Sequence, residues 1–256
     1  GGVGKTTFSI NLALQLASLG KRVLIFDADM GMANIHIAFG KTVKNSLIDI
    51  IDGNSTLIET IVNLREDIDL IPGGSGVERL ANLDAIETHA IVQTFSTIDN
   101  TYDYLIVDLS AGISPHVLTL MAATHLKIII GTNDFSSISD AYGIIKALIG
   151  RDSDTELFYV PNRVNSPAEG KKLFESIDYV TNKFLNTNLQ FLGSITEDSI
   201  YSQVWQSANP AALINESTNA SSEVNKIAQM IDAHDIFDSS AATHGLHFFI
   251  SNNQQQ

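Results

Sequence analysis

Gly1-Gly2-Val3-Gly4-Lys5-Thr6-Thr7 opens the chain, and the reading of this stretch decides the fold. Glycines at this spacing let a loop wrap an anion with its backbone N–H groups. The lysine offsets phosphate charge, and a threonine hydroxyl can reach a magnesium ion. A helix must follow if the loop is to lie at the positive end of a helix dipole. Thr7 to Leu19 meets that need: Ile10, Leu14 and Ala17 share one face of an amphipathic or largely buried helix, and Gly20 is placed to stop it. A flexible glycine-rich terminus would have no such helix behind it.

Beyond the helix, Arg22 to Asp27 carries Val23, Leu24, Ile25 and Phe26 without polar alternation, the pattern of a strand covered on both faces. Ile68 to Pro72, Tyr104 to Leu109, Leu126 to Thr132, Glu156 to Pro161 and Phe191 to Ile195 read the same way, separated by helix-length segments. Asp84 with Glu87 forms a capping box, and Ser114-Pro115 suits a helix start. This alternation predicts an α/β fold with a doubly wound, mostly parallel sheet that binds its ligand at the carboxyl ends of the strands. Glu223 to Phe237 reads as a last helix, with Val224, Ile227, Ala228 and Ile231 inward and Asp232, Asp235 and Asp238 outward. Residues 1–237 are expected to form one domain. Residues 238–256, rich in Ser, Ala, His, Asn and Gln, are expected to be a poorly ordered tail.

Composition narrows the chemistry. The chain has 256 residues, 44% hydrophobic and 17% charged, unlike a disordered or fibrous protein. Fifteen basic against 29 acidic residues leave a formal charge of -14, which disfavours direct binding to DNA. Without cysteine there is no disulfide, thiolate metal site or protein-ligated iron-sulfur cluster. No apolar run reaches the roughly 20 residues that span a bilayer, and no signal peptide opens the chain, so a cytoplasmic location is expected.

Asp27, Asp29 and Asp108 end apolar runs, which puts their carboxylates at the ligand edge of a parallel sheet. Hydrated magnesium binds through few direct carboxylates, so Asp108 suits a metal role acting through coordinated water, or else merely caps its strand end.

With loop and carboxylates in place, the chain resembles the deviant Walker A ATPases of the MinD/ParA family. Their loop carries a further lysine directly before Gly-Gly-Val-Gly-Lys-Thr and is led by an interior strand. The resemblance implies a MinD-like P-loop NTPase fold whose first strand, together with that lysine, lies ahead of Gly1. Without that strand an interior sheet position would stand empty. The resemblance further implies ATP and Mg2+ as cofactors. The nucleotide would lie on Gly1, Gly2, Val3, Gly4, Lys5, Thr6 and Thr7, and the metal on Thr6, Asp27 and Asp108. Asp27-Ala28-Asp29-Met30-Gly31-Met32-Ala33-Asn34 is similar to the family's first switch, which makes Asp29, with Lys5, the catalytic pair: Asp29 would orient the attacking water. Asp108-Leu109-Ser110-Ala111-Gly112 resembles the second switch, where Gly112 can offer its N–H to the γ-phosphate. Asn162 stands where the family presents an amide to adenine, the lesser alternative being a loop asparagine that caps its own turn.

Met30-Gly31-Met32-Ala33-Asn34-Ile35, Ser139-Asp140-Ala141-Tyr142, Asn165-Ser166-Pro167-Ala168-Glu169-Gly170 and Leu192-Gly193-Ser194-Ile195 resemble the FlhG/FleN/YlxH branch in particular. That branch implies an ATP-dependent homodimer regulating flagellar number and placement through the flagellar GTPase FlhF or a master transcription activator, in the cytoplasm or at a cell pole. Two alternatives share much of the pattern: a ParA-type partitioning ATPase, and a noncatalytic nucleotide-binding protein. Gly131-Thr132-Asn133-Asp134-Phe135 departs from the family's usual Thr-Pro-Glu, and Thr196 replaces a usual proline. Leu246-His247-Phe248-Phe249-Ile250 is a short apolar stretch with no lysine or arginine after Lys226, a weak basis for membrane docking beside the alternatives of a frayed tail or a small apolar cover. His244 and His247 lack companions for a metal site. Tyr201 and Trp205, four residues apart, are expected to pack on one face of a helix as core.

Overall fold

The computed structural model describes residues 2–29, 33–74, 83–98, 101–210, 218–233 and 248. In chain order the elements are α1 (Lys5–Ser18), β1 (Val23–Ala28), α2 (Ile35–Ala38), α3 (Leu47–Ile51), α4 (Leu57–Thr60), β2 (Val62–Arg65), β3 (Ile68–Ile71), α5 (Ala85–Thr94), β4 (Tyr104–Leu109), α6 (Pro115–Ala122), β5 (Lys127–Gly131), α7 (Phe135–Ile149), β6 (Leu157–Val164), α8 (Pro167–Leu185), β7 (Gln190–Phe191), β8 (Ile195–Thr196), α9 (Ile200–Ser207) and α10 (Asn219–Ala233). They gather into two compact units. One, the loop unit, draws on 1–16, 111–113 and 126–239; the other, the carboxylate unit, draws on 17–110, 114–125 and 240–256.

The carboxylate unit holds a sheet of order β2-β3-β1-β4. Strand β1 runs parallel to both β3 and β4 and is buried along its whole length, as its unbroken apolar run requires. Strand β2 is an addition that the sequence reading did not contain. It pairs antiparallel with β3 across a tight turn in which Asp67 takes a left-handed φ of 60°. The core centres on Leu24, Phe26, Phe95 and Leu120, with the Phe26 and Phe95 rings 5.2 Å apart. Phe248 completes it: the residue is 3% exposed, packs edge-on against Phe95 at 5.0 Å and donates its N–H to the Ala123 carbonyl. This side chain is therefore an apolar cover and is not presented to a lipid surface; the rest of 238–256 lies outside the described residues. Helix α5 begins at the expected capping box, the Asp84 carboxylate accepting from the Glu87 N–H at 2.8 Å. Helix α6 starts at Ser114-Pro115, but the Ser114 hydroxyl pairs with the His116 ring instead of capping the backbone.

The loop unit holds β5-β6-β7 in parallel, with β8 also pairing parallel to β6. The single expected strand Phe191 to Ile195 is two short ones, because Gly193 takes a φ of 130° that a continuous strand cannot accommodate. Helix α7 packs on β5 and helix α8 on β6. Gly170 lets α8 approach closely, since a Cβ there would collide with Ser194. Helix α8 starts at Ser166, whose hydroxyl accepts from the Glu169 N–H, and ends at Asn186 with a left-handed φ of 53°. Helix α10 begins earlier than expected, at Asn219, and buries Val224, Ile227, Ala228 and Ile231; Asp235, Phe237 and Asp238 lie outside the described residues. Helix α1 starts at Lys5 and is buried from Phe8 through Leu16, so the buried alternative holds over the amphipathic one. Its Gln15 donates to the Ser221 hydroxyl of α10 at 3.1 Å and accepts from Asn225 at 2.9 Å.

Candidate functional site

Gly2 and Gly4 take left-handed φ values of 82° and 93°, a backbone that turns successive N–H groups inward and that other residues rarely adopt. The first α1 hydrogen bond runs from the Phe8 N–H to the Gly4 carbonyl at 2.9 Å. The N–H groups of Lys5, Thr6 and Thr7 therefore have no helical acceptor, and no acidic side chain occupies this turn. Backbone donors so placed at the positive end of a helix suit an anion, and Lys5 is the first residue of that helix. Gly1 lies outside the described residues.

Asn162 meets this loop directly. Its Nδ2 donates to the Val3 carbonyl at 2.7 Å, and a Cβ on Gly4 would collide with its amide. The sequence places Asn162 just past a strand, whereas it lies within β6, 6% exposed, where the pairing with β8 slips register. The next residue, Arg163, takes a φ of 57° at that slip and donates from Nε to Glu197 at 2.7 Å. Strand β6 thus delivers an amide to the loop through a local kink that reading the sequence did not reveal.

Beside the loop opens a cavity of about 210 Å³, lined among others by Gly4, Thr7, Asn162, Arg163, Tyr201 and Trp205. Tyr201 and Trp205 do share a face of α9 as expected, but that face borders the cavity instead of filling the core; only Val204 between them is fully buried. The Trp205 indole N–H donates to the Thr7 hydroxyl at 3.2 Å. An apolar wall with a few convergent polar groups is the composition of a small-molecule site.

The carboxylate unit supplies the acidic residues. Asp27 and Asp108 are register partners on β1 and β4, 1% and 2% exposed. In parallel neighbours such partners project from the same sheet face. Asp27 Oδ2 accepts from the N–H groups of Asn34 at 2.9 Å and Ile35 at 3.1 Å, while Oδ1 is buried with no hydrogen-bond partner among the described residues. Burial above all, with the nearby Asp108 charge, pushes the Asp27 carboxyl up to about 7. Gly73 leaves room here, since a Cβ would collide with the Asp27 carbonyl. Asp29 follows, half-buried, at the end of β1. Met30, Gly31 and Met32 lie outside the described residues. Gly112 turns with a φ of 104° in the loop unit.

These donors fit magnesium. A buried carboxylate held above its ordinary range, with one oxygen unsatisfied, is the environment a divalent cation relieves. Among the described residues no group of three or more acidic or histidine side chains could hold a metal. The loop fits a nucleoside phosphate for the reasons given above. The structure thus gathers Gly2, Val3, Gly4, Lys5, Thr6, Thr7 and Asn162 in one unit and Asp27, Asp29 and Asp108 in the other.

Known proteins resemble this chain in sequence and in fold. The AAA domain family matches residues 1–148. The antiactivator FleN of Pseudomonas aeruginosa is 35% identical over 234 residues, covering 91% of this chain and 83% of FleN. The flagellum site-determining protein YlxH of Helicobacter pylori is 34% identical over 201 residues, 78% of this chain and 68% of YlxH. In three dimensions, the septum site-determining protein MinD of Pyrococcus horikoshii, complexed with Mg-ADP, superposes with a TM-score of 0.72 at 20% identity over 91% of this chain and 92% of that one. A MinD-like P-loop fold is therefore shared, and with FleN and YlxH aligned over most of its length this chain belongs to the MinD/ParA family, in the FlhG/FleN/YlxH branch.

Proposed function

We propose that the chain is an ATP-driven switch of the flagellar-number type, in which Mg-ATP favours a homodimer and hydrolysis returns the monomer. The observation that carries this reading is the loop of Gly2 and Gly4 at the start of α1, with Asn162 bonded to its Val3 carbonyl. In this reading the loop N–H groups and Lys5 hold the phosphates, and the Asn162 amide, which has both donor and acceptor, turns to the adenine edge. Thr6, Asp27 and Asp108 would hold magnesium, which when bound supplies positive charge against the phosphate oxygens. Asp29 orients the attacking water, and the Gly112 N–H supports the γ-phosphate. Residues 1–237 act together as the ATPase domain.

The relatives named above are an antiactivator and a flagellum site-determining protein, which supports a regulatory output on flagellar number and placement in the cytoplasm or at a pole. The flagellar GTPase FlhF or a master transcription activator is the proposed partner. A net charge of -14 speaks against direct DNA binding. The test is phosphate release by the full chain with Mg-ATP, alongside Asp29→Ala. Turnover should fall roughly 100-fold in the variant while ATP binding persists. Undetectable ATP binding by calorimetry would sink the reading, and binding without turnover would leave a noncatalytic switch.

A further inference from the structure

The Trp205 indole reaches the loop helix rather than the core, and its one polar atom donates to Thr7 Oγ1 at 3.2 Å. An indole nitrogen can only donate, so the Thr7 oxygen is the acceptor and its own proton is turned away from Trp205. A threonine in the first turn of a helix ordinarily donates that proton back to a carbonyl three or four residues earlier. Here those carbonyls belong to Gly4 and Val3. Gly4 already accepts from the Phe8 N–H at 2.9 Å, and Val3 already accepts from Asn162 at 2.7 Å. Each of these carbonyls thus already holds one donor, and the Trp205 N–H fixes the side of the Thr7 oxygen from which its own proton is excluded, on a residue that lines the cavity beside Gly2 and Gly4.

We propose that Trp205 is a positioning residue: it sets the Thr7 hydroxyl as a donor to a nucleotide phosphate, while its ring forms a wall of the cavity for the base. The proposal rests on the nucleotide reading above and adds to it a residue far along the chain. Trp205 sits on a packed helix. Val204 beside it is 1% exposed, and Tyr201 borders the same cavity one turn earlier. A flat aromatic wall rewards a planar base by stacking, and a preset hydroxyl meets a phosphate without reorganising.

The two roles separate by substitution. Binding of Mg-ADP to the full chain is measured by calorimetry for the wild type, Trp205→Phe, Trp205→Ala, Thr7→Ala and the double variant Thr7→Ala/Trp205→Phe. Phenylalanine keeps a ring but loses the donor, so its affinity should fall about tenfold, as for loss of one hydrogen bond to a charged group, and alanine should lose several-fold more. In the Thr7→Ala background the phenylalanine change should cost nothing further, because the hydroxyl it serves is gone. Trp205→His at pH 8, with a ring N–H, should bind more tightly than Trp205→Phe. Equal losses in both backgrounds, or a histidine variant no better than phenylalanine, would reduce Trp205 to packing and overturn the proposal. Should the wild type bind Mg-ADP while every Trp205 variant matches it, this inference alone fails; should the wild type itself not bind, the nucleotide reading fails with it.

Discussion

Asp27 and Asp108 stand opposite each other on adjacent parallel strands, both buried, and the Asp27 carboxyl is held near 7 by burial and by its neighbour's charge. Two carboxylates so placed cannot both ionise cheaply without a cation. The pair is a liability in the empty protein and an asset once positive charge arrives.

The pH dependence of stability follows from that pair. Asp27 is raised above its unfolded value, so the folded state binds its proton more tightly; this stabilises fully below about pH 4 and is lost as pH rises through about 7. The metal-free protein should lose on the order of 4 kcal/mol across that window from this group. Asp27→Asn should flatten the dependence and stabilise the protein at pH 8. Urea unfolding at pH 5 and pH 8 measures both, and an unchanged pH slope in the variant would count against the assignment.

Gly4→Ala should weaken nucleotide binding strongly at modest cost to the fold. Its φ of 93° charges alanine about 1–2 kcal/mol, and the added Cβ displaces the Asn162 amide. Calorimetry with Mg-ADP should show at least a tenfold loss while the thermal midpoint moves by only a few degrees.

Phe248→Ala should cost about 3 kcal/mol, from the cavity left against Phe95 and the lost edge-on ring contact. Denaturant unfolding reads the loss directly. A variant as stable as the wild type would show that the segment around Phe248 contributes nothing to the core.

Asp29→Ala should collect as a dimer in Mg-ATP, since it binds but turns over slowly, while wild type returns to monomer as ATP is consumed. Sedimentation at fixed protein concentration distinguishes the two, and a variant that stays monomeric would break the link between hydrolysis and self-association.

Much of the fold was legible because parallel strands announce themselves as unbroken apolar runs: Val23 to Phe26, fully buried, and Tyr104 to Leu109, mostly half-buried, fall where the pattern puts them. Strand β2 was not, because Val62-Asn63-Leu64-Arg65 is short, polar at alternate positions and visible only through its pairing with β3. Of the site, the glycine loop and Asn162 could be named from spacing and resemblance. The i, i+4 spacing of Tyr201 and Trp205 states that they share a helix face but carries no information on what the face meets. Contacts such as Trp205 with Thr7, 198 residues apart, and Arg163 with Glu197, 34 apart, depend on how distant elements pack and leave no local trace.

Trp205 is also the sole tryptophan of the chain. Its emission therefore arises from one wall of the cavity beside Gly2 and Gly4, so on the proposed reading an unlabelled sample already contains an optical reporter of occupancy. Following the intrinsic fluorescence on mixing with nucleotide would time each binding and release event without a dye.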